Sequence, residues 1–238
     1  MKIFDYNIAT RLPEFPIHSK TIINTINPHS YCVAEKDLEF KEALLNSDIL
    51  LPDGIGIVWA GKMLRNQKLS KIAGFDVFLH LLSHLEENNG SCFFLGASQE
   101  VLNLIQEKAK VEYPNISVGF YSPPYKDVFT KKDSDDMCTQ VNSFKPDVLF
   151  VGMTAPKQEK WVKLNKDNLH VTVICCIGAV FDFYAGTVKR SSDFWINIGL
   201  EWLPRFLNEP VRLAKRNLVS TPKFIIEVLR HKYLAKRL

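Results

Sequence analysis

The 238-residue sequence has no apolar run approaching the ~20 residues of a membrane-spanning helix. The longest candidate, Val171 to Val180, is the size of a strand. No secretory leader is read at Met1-Lys2-Ile3-Phe4-Asp5-Tyr6, where an acid interrupts a very short apolar start. The five cysteines form no CxxC pair, which argues against a zinc ribbon and a redox motif, and their odd number argues against a secreted disulfide scaffold. A cytosolic setting is expected, with contact to a membrane surface left open. His80 and His84 stand i,i+4, but Leu81 occupies the Glu position of HExxH, so the pair reads as helix-surface histidines. No DxD pair lies in a strand-end loop, since Asp133-Ser134-Asp135-Asp136 reads as a solvated helix start. A divalent-metal site is therefore not suggested.

Hydrophobic residues make up 46%, enough for one packed α/β domain and an appendage. The net charge of +4 is unevenly placed. From Arg205 to Leu238 there are nine Lys/Arg against two Glu, a balance of +7, so the first 204 residues carry about −3. A basic end of this kind asks for an anionic partner. Large apolar residues interleave with it, among them Phe206, Phe224, Ile225, Ile226 and Leu229, and the two kinds do not separate on a helical projection. That mixture suits anionic lipid headgroups. Nucleic acid is disfavoured, because no binding-module signature accompanies the charge.

Strand-length runs alternate with helical periodicity. Strands are expected at Thr21–Asn27, Asp48–Leu51, Ser91–Leu95, Ile116–Phe120, Val148–Val151 and Val171–Ile177. Helices are expected at Ala34–Leu45, from near Ile55, and at Phe75–Glu87, Gln99–Lys110, Asp133–Ser143 and Pro156–Asn165, with Ser98 as an N-cap. The rhythm predicts a mostly parallel sheet flanked by helices, with ligands at the carboxyl ends of the strands. A core over 1–195 and a helical basic appendage over 196–238 follow.

Asp53 follows a buried strand in a Gly-flanked loop, where it fits either a general base or an Asx-turn residue closing Pro52-Asp53-Gly54. Gly54-Ile55-Gly56 lacks the third glycine of GxGxxG, because Trp59 stands there, so the glycines read as a backbone approach to phosphate. Gly152-Met153-Thr154-Ala155-Pro156-Lys157-Gln158-Glu159 fits either a turn that holds a nucleotide or an ordinary capped helix with Pro156 at its first position. Phe181-Asp182-Phe183-Tyr184 fits either a stacking platform or a core edge.

Together these segments resemble the WecG/TagA/CpsF family of glycosyltransferases over about Thr21 to Lys215. The matching parts are Thr25-Ile26-Asn27, Asp53-Gly54-Ile55-Gly56, Ala73-Gly74-Phe75-Asp76, Phe94-Leu95-Gly96-Ala97, Gly152 with Pro156-Lys157-Gln158-Glu159, and Gly178-Ala179-Val180-Phe181-Asp182. The most specific is Gly186-Thr187-Val188-Lys189-Arg190 followed by Gly199-Leu200-Glu201-Trp202-Leu203-Pro204-Arg205. The resemblance implies a Rossmann-like sheet and a metal-independent, inverting hexosyl transfer. The donor would be a UDP-sugar, N-acetylmannosamine-like or a related hexose or uronic acid. The acceptor would be a sugar on a polyprenyl diphosphate, the product a cell-surface polysaccharide, and the location peripheral on the inner face of the plasma membrane. Homo-oligomer formation is left open.

Carried over by position, Asp53 is the catalytic base. Thr25, Asn27, Gly54, Gly96, Gly152, Gln158, Glu159, Gly178, Asp182, Arg205, Arg212 and Lys215 bind substrate, and Arg216 stands beside the last. Pro204 departs from the family pattern, where many members carry an aromatic. Two other classes remain as alternatives: a non-catalytic module binding nucleotide sugar or anionic lipid, and a nicotinamide oxidoreductase, which the incomplete glycine motif disfavours.

Overall fold

The structure, a computed structural model, describes residues 1–197, 200–208 and 210–234. It opens on a small antiparallel ribbon, β1 (Lys2–Ile3) and β2 (Tyr6–Asn7). Next come β3 (Thr21–Ile26), α1 (Pro28–Ala34), α2 (Leu38–Leu45), β4 (Ile49–Pro52) and α3 (Ile55–Arg65). The middle of the chain holds α4 (Gly74–Glu87), β5 (Ser91–Gly96), α5 (Gln99–Glu112), β6 (Ser117–Tyr121), α6 (Lys131–Phe144), β7 (Val148–Gly152), α7 (Lys157–Asn165) and β8 (Val173–Cys176). The C-terminal part is helical: α8 (Val180–Ala185), α9 (Asp193–Asn197), α10 (Trp202–Asn208), α11 (Pro210–Ala214), a π-helical turn (Lys215–Ser220) and α12 (Thr221–Leu234).

Six strands form one sheet in the order β4-β3-β8-β7-β5-β6, and every pairing is parallel. The strands are apolar on both faces because helices cover both. Phe94, Phe150 and Cys175 meet α4, α5 and α8 on one side. Phe93, Leu149 and Ile174 meet α6 and α7 on the other. The five cysteines are all free and buried, and burial raises their thiols.

The expected α/β class holds, and the sheet is more uniformly parallel than anticipated. The helix predicted over Ala34–Leu45 starts later, at Leu38 behind its Asp37 cap, and a separate helix capped by Asn27, α1, was not anticipated and ends at Ala34. Pro156 occupies the N-cap of α7 rather than its first helical position. Asp133 is buried, not solvated: it closes a capping box with Thr130 and pairs with Lys126 at 2.8 Å, which together hold its carboxyl down at about 2. His84 stacks on Phe15 with ring centroids 3.6 Å apart, and His80 meets the Pro13 carbonyl at 2.8 Å, so both pin the N-terminal segment to α4.

The last helix is docked. Phe224 and Val228, four residues apart on α12, are fully buried among Tyr31, Phe4, Ile57 and Ala60. Phe224→Ala removes a large buried ring and should destabilise the protein by about 3–5 kcal/mol. A urea titration checks this, and a midpoint like that of the unsubstituted protein would mean that α12 is not held there.

Candidate functional site

The carboxyl ends of β3 and β4 are the foundation of the site. Their register pairs Thr25 with Leu51 and Ile26 with Pro52, and the Asp53 N–H donates to the Ile26 carbonyl at 2.9 Å. Asn27 and Asp53 therefore leave adjacent strands side by side. Asn27 Oδ1 accepts from the N–H groups of His29 and Ser30 at 3.0 Å each, capping α1. That fixes the amide orientation, and its remaining group hydrogen-bonds the Asp53 carboxyl.

Gly54 follows with φ of 96°, a left-handed value that L side chains rarely adopt, and open space stands where a Cβ would project. It begins α3 with no side-chain cap, so the first N–H groups of that helix are left to whatever enters the cleft. Gly56 is small for another reason, since a Cβ there would lie 2.5 Å from the Pro28 ring. The starts of α1 and α3 are thereby packed together. A third start, that of α4, reaches the same place: Ile72 N–H donates to the Pro52 carbonyl at 2.9 Å, and Asp76 caps Ala73 at 2.8 Å.

Asp53 is half-buried, and its carboxyl is held above the usual range. Burial is the largest cause; Glu201 adds to it, while Arg216, Lys71 and the Asn27 amide oppose it. These groups come from distant parts of the chain. Lys71 precedes α4 and bonds Glu201 at 2.7 Å, with both side chains largely shielded. Glu201 stands just before α10 and Arg216 lies in the π-helical turn. Ser220, at the end of that turn, meets His29 Nδ1 at 2.9 Å and accepts at its carbonyl from Cys32 Sγ at 3.3 Å. The C-terminal segment thus contacts α1, the helix that Asn27 caps.

The other expected site residues are placed as follows. Thr25 is half-buried at the last turn of β3, one residue before the strand end. Gln158 is buried; its Oε1 accepts from Met153 N–H at 3.1 Å and its Nε2 donates to Glu159 Oε1 at 2.8 Å. Its amide lies against Gly178, where a Cβ would be 3.4 Å from Gln158 Oε1. Gly178 also has a positive φ of 37°. Gly96 and Gly152 are buried, and their smallness answers protein packing. A Cβ at Gly96 would meet the Gly152 carbonyl at 2.3 Å, and one at Gly152 the Phe181 ring at 2.5 Å. Glu159 is 4% exposed and stands behind the cleft, among Asn24, Asn46 and Lys163. Phe181 and Tyr184 belong to the core, which decides for the core edge over the stacking platform. Asp182 receives Thr187 Oγ1 at 3.4 Å and steadies the turn after α8. The side chains of Arg205, Arg212 and Lys215, and residue Gly199 of the most specific motif, lie outside the described residues. Sequence reasoning missed Lys71 and Glu201 as a pair, and it mentioned Arg216 only as a neighbour. The signal available was their position inside, or two residues before, quoted family motifs.

An acid beside cations and an uncapped helix start, at the carboxyl ends of an open parallel sheet, is the arrangement of an α/β enzyme that handles an anionic ligand. The model of the glycosyl transferase WecG/TagA/CpsF family matches residues 7–238, and the chain belongs to that family. It is 33% identical over 209 residues to the N-acetylglucosaminyldiphosphoundecaprenol N-acetyl-beta-D-mannosaminyltransferase of Bacillus subtilis strain 168. That alignment covers 88% of this chain and 79% of the relative. A protein of the same name from Staphylococcus aureus strain MW2 is 28% identical over 215 residues, covering 90% and 82%.

The Asn27 amide stabilises the charged form of Asp53. Asn27→Ala should therefore raise the carboxyl further and move the acid limb of the pH–rate profile for glycosyl transfer to higher pH, besides costing about 1 kcal/mol of cap energy. An acid limb at its original pH would detach Asn27 from Asp53.

Proposed function

We propose that this glycosyltransferase moves a hexose, N-acetylmannosamine or a close relative, from a UDP-sugar to N-acetylglucosamine carried on a polyprenyl diphosphate, with inversion and without a metal. Support for the acceptor and the mannosamine-type donor comes from the names of the relatives. The observation that carries the mechanism is the meeting of Asp53 with Lys71 and Arg216 beside the bare start of α3.

In this reading Asp53 takes the proton from the acceptor hydroxyl. The oxygen attacks the anomeric carbon from the face opposite the nucleotide. The bond from that carbon to the diphosphate oxygen breaks, and its electron pair leaves with UDP. The leaving diphosphate carries the developing charge, and the α3 N–H groups, Lys71 and Arg216 oppose it. Burial raises the Asp53 carboxyl, which makes its carboxylate form a stronger base. Thr25, Asn27 and Gln158 line or support the cleft for the donor.

The lipid carrier requires a membrane surface. Among the described residues no helix is long and apolar enough to cross a membrane. The C-terminal segment instead exposes Leu207 and, interleaved with the basic residues Arg216, Lys223 and Arg230, Leu218, Val219, Ile225 and Ile226. Exposed apolar side chains in a basic setting suit an anionic bilayer, at about 1 kcal/mol for each basic residue near the surface. Peripheral attachment by this segment would bring the acceptor diphosphate to the cleft.

Incubation with a panel of UDP-sugars and a short-chain lipid diphosphate N-acetylglucosamine, followed by product mass, tests the reaction. Product is expected with a UDP-hexosamine. Asp53→Asn should keep its melting temperature and lose on the order of 10²–10⁴ in rate; near-normal transfer removes Asp53 as base. Leu218→Ser with Val219→Ser should weaken sedimentation with anionic vesicles and leave the fold intact. Undiminished sedimentation would place the membrane contact elsewhere.

A further inference from the structure

Behind Gln158 a line of polar side chains runs into the protein. Ser47 Oγ donates to the Ala43 carbonyl at 3.3 Å and accepts from Asn24 Nδ2 at 2.8 Å. With its amide so fixed, Asn24 presents Oδ1 inward, where it is buried and has no hydrogen-bond partner. From the other end, Met153 N–H donates to Gln158 Oε1, and Gln158 Nε2 donates to Glu159 Oε1. Glu159 Oε2 is then buried without a partner as well. Asn24 and Glu159 line the same small cavity under the sheet.

Two acceptors that share this small cavity lack a donor, and an unmatched buried polar group is costly. Every other polar atom of the line has at least one partner. One proton completes it from Ala43 to Met153. The charges around the cavity do not remove the need. Lys163 and Lys166 line it from α7 and the turn that follows, and Lys163 pairs with Glu42 of α2. The buried Cys176 thiol also stands near Glu159 and, raised by burial, brings no charge to the cavity.

We infer that Glu159 is held as the neutral acid, its proton shared with Asn24 Oδ1 directly or through one water, and that this bond positions the Gln158 amide for the nucleotide. The second half rests on the proposed role of Gln158. Glu159 is a positioning residue, since Gln158 stands between it and the cleft. Burial, the largest influence, pushes its carboxyl up to about 7, in keeping with the neutral form.

The sign of the pH dependence follows. A carboxyl raised in the folded state binds a proton that the unfolded chain releases above its ordinary value of 4.5. Its contribution to stability is full below 4.5 and declines as pH rises to about 7. Other carboxylates, Asp133 among them, act in the opposite sense, so the difference between two proteins is the quantity to read.

Glu159→Gln supplies a permanent donor to Asn24 and keeps an acceptor for Gln158. Melting temperatures of the unsubstituted chain and Glu159→Gln, measured from pH 4.5 to 8, should diverge as pH rises and then run parallel. The Kd for UDP should stay within about twofold in Glu159→Gln and rise about tenfold in Glu159→Ala, the loss expected for one hydrogen bond. A pH-independent difference in melting, or a Glu159→Gln protein as impaired as Glu159→Ala, overturns the neutral acid. Gln158→Ala separates the two readings: if it leaves UDP binding unchanged, the positioning role falls with the proposed role of Gln158, while the melting comparison still decides the proton.

Discussion

A carboxylate withdrawn from water is tolerated only where donors or cations face it, and Asp53 is the point around which this molecule meets that requirement. Its place is set by backbone pairing: Ile26 opposite Pro52 puts Asp53 beside Asn27, and the Asp53 N–H is spent on the Ile26 carbonyl. The side chain is left to the cleft. The amide of Asn27, the ammonium of Lys71 and the guanidinium of Arg216 then oppose its desolvation, while Glu201 works against them and is itself neutralised by Lys71 at 2.7 Å. Removing any one of these charges changes the field on the others, so effects of substitution here should not add.

The parallel architecture was legible in the sequence because both of its signals are local. Strand-length apolar runs ended in Gly, Pro or Asx, and helix starts such as Ser98 carried their caps. Asp53 at a strand end was legible for the same reason. What escaped was non-local. Lys71 and Glu201 are 130 residues apart, and nothing in either neighbourhood marks the other. The break between α1 and α2 was local and still went unread, although the charged run Glu35-Lys36-Asp37 spans it and Asn27 and Asp37 were both available as caps.

Gly96 and Gly152, carried over as substrate-binding, also have a packing reason to be small, since a Cβ at either would strike a carbonyl or a ring of the same protein. Close approach is visible in a sequence; the body approached is not. The C-terminal helix was obscure because, among its described side chains, burial uses Phe224 and Val228, while Ile225 and Ile226 between them face outward. A helix with one narrow buried stripe and an apolar outer face gives no clean amphipathic projection.

That outer face bears on why the cleft is built from both ends of the chain. The first 204 residues carry about −3, so the core alone would repel a nucleotide diphosphate, a lipid diphosphate and an anionic surface alike. The remaining segment carries +7 and is fastened to the core by Phe224, Val228 and the Ser220–His29 bond. Fastening there places Arg216 within the field of Asp53, at the rim where the proposed substrates would enter. With a screening length of about 8 Å at physiological salt, charge on an undocked tail would be felt little at the strand ends. In the proposed reading, docking is therefore what turns a basic tail into part of an anion-binding cleft, and the same helix would offer its unburied side to the surface from which a lipid-linked acceptor would come.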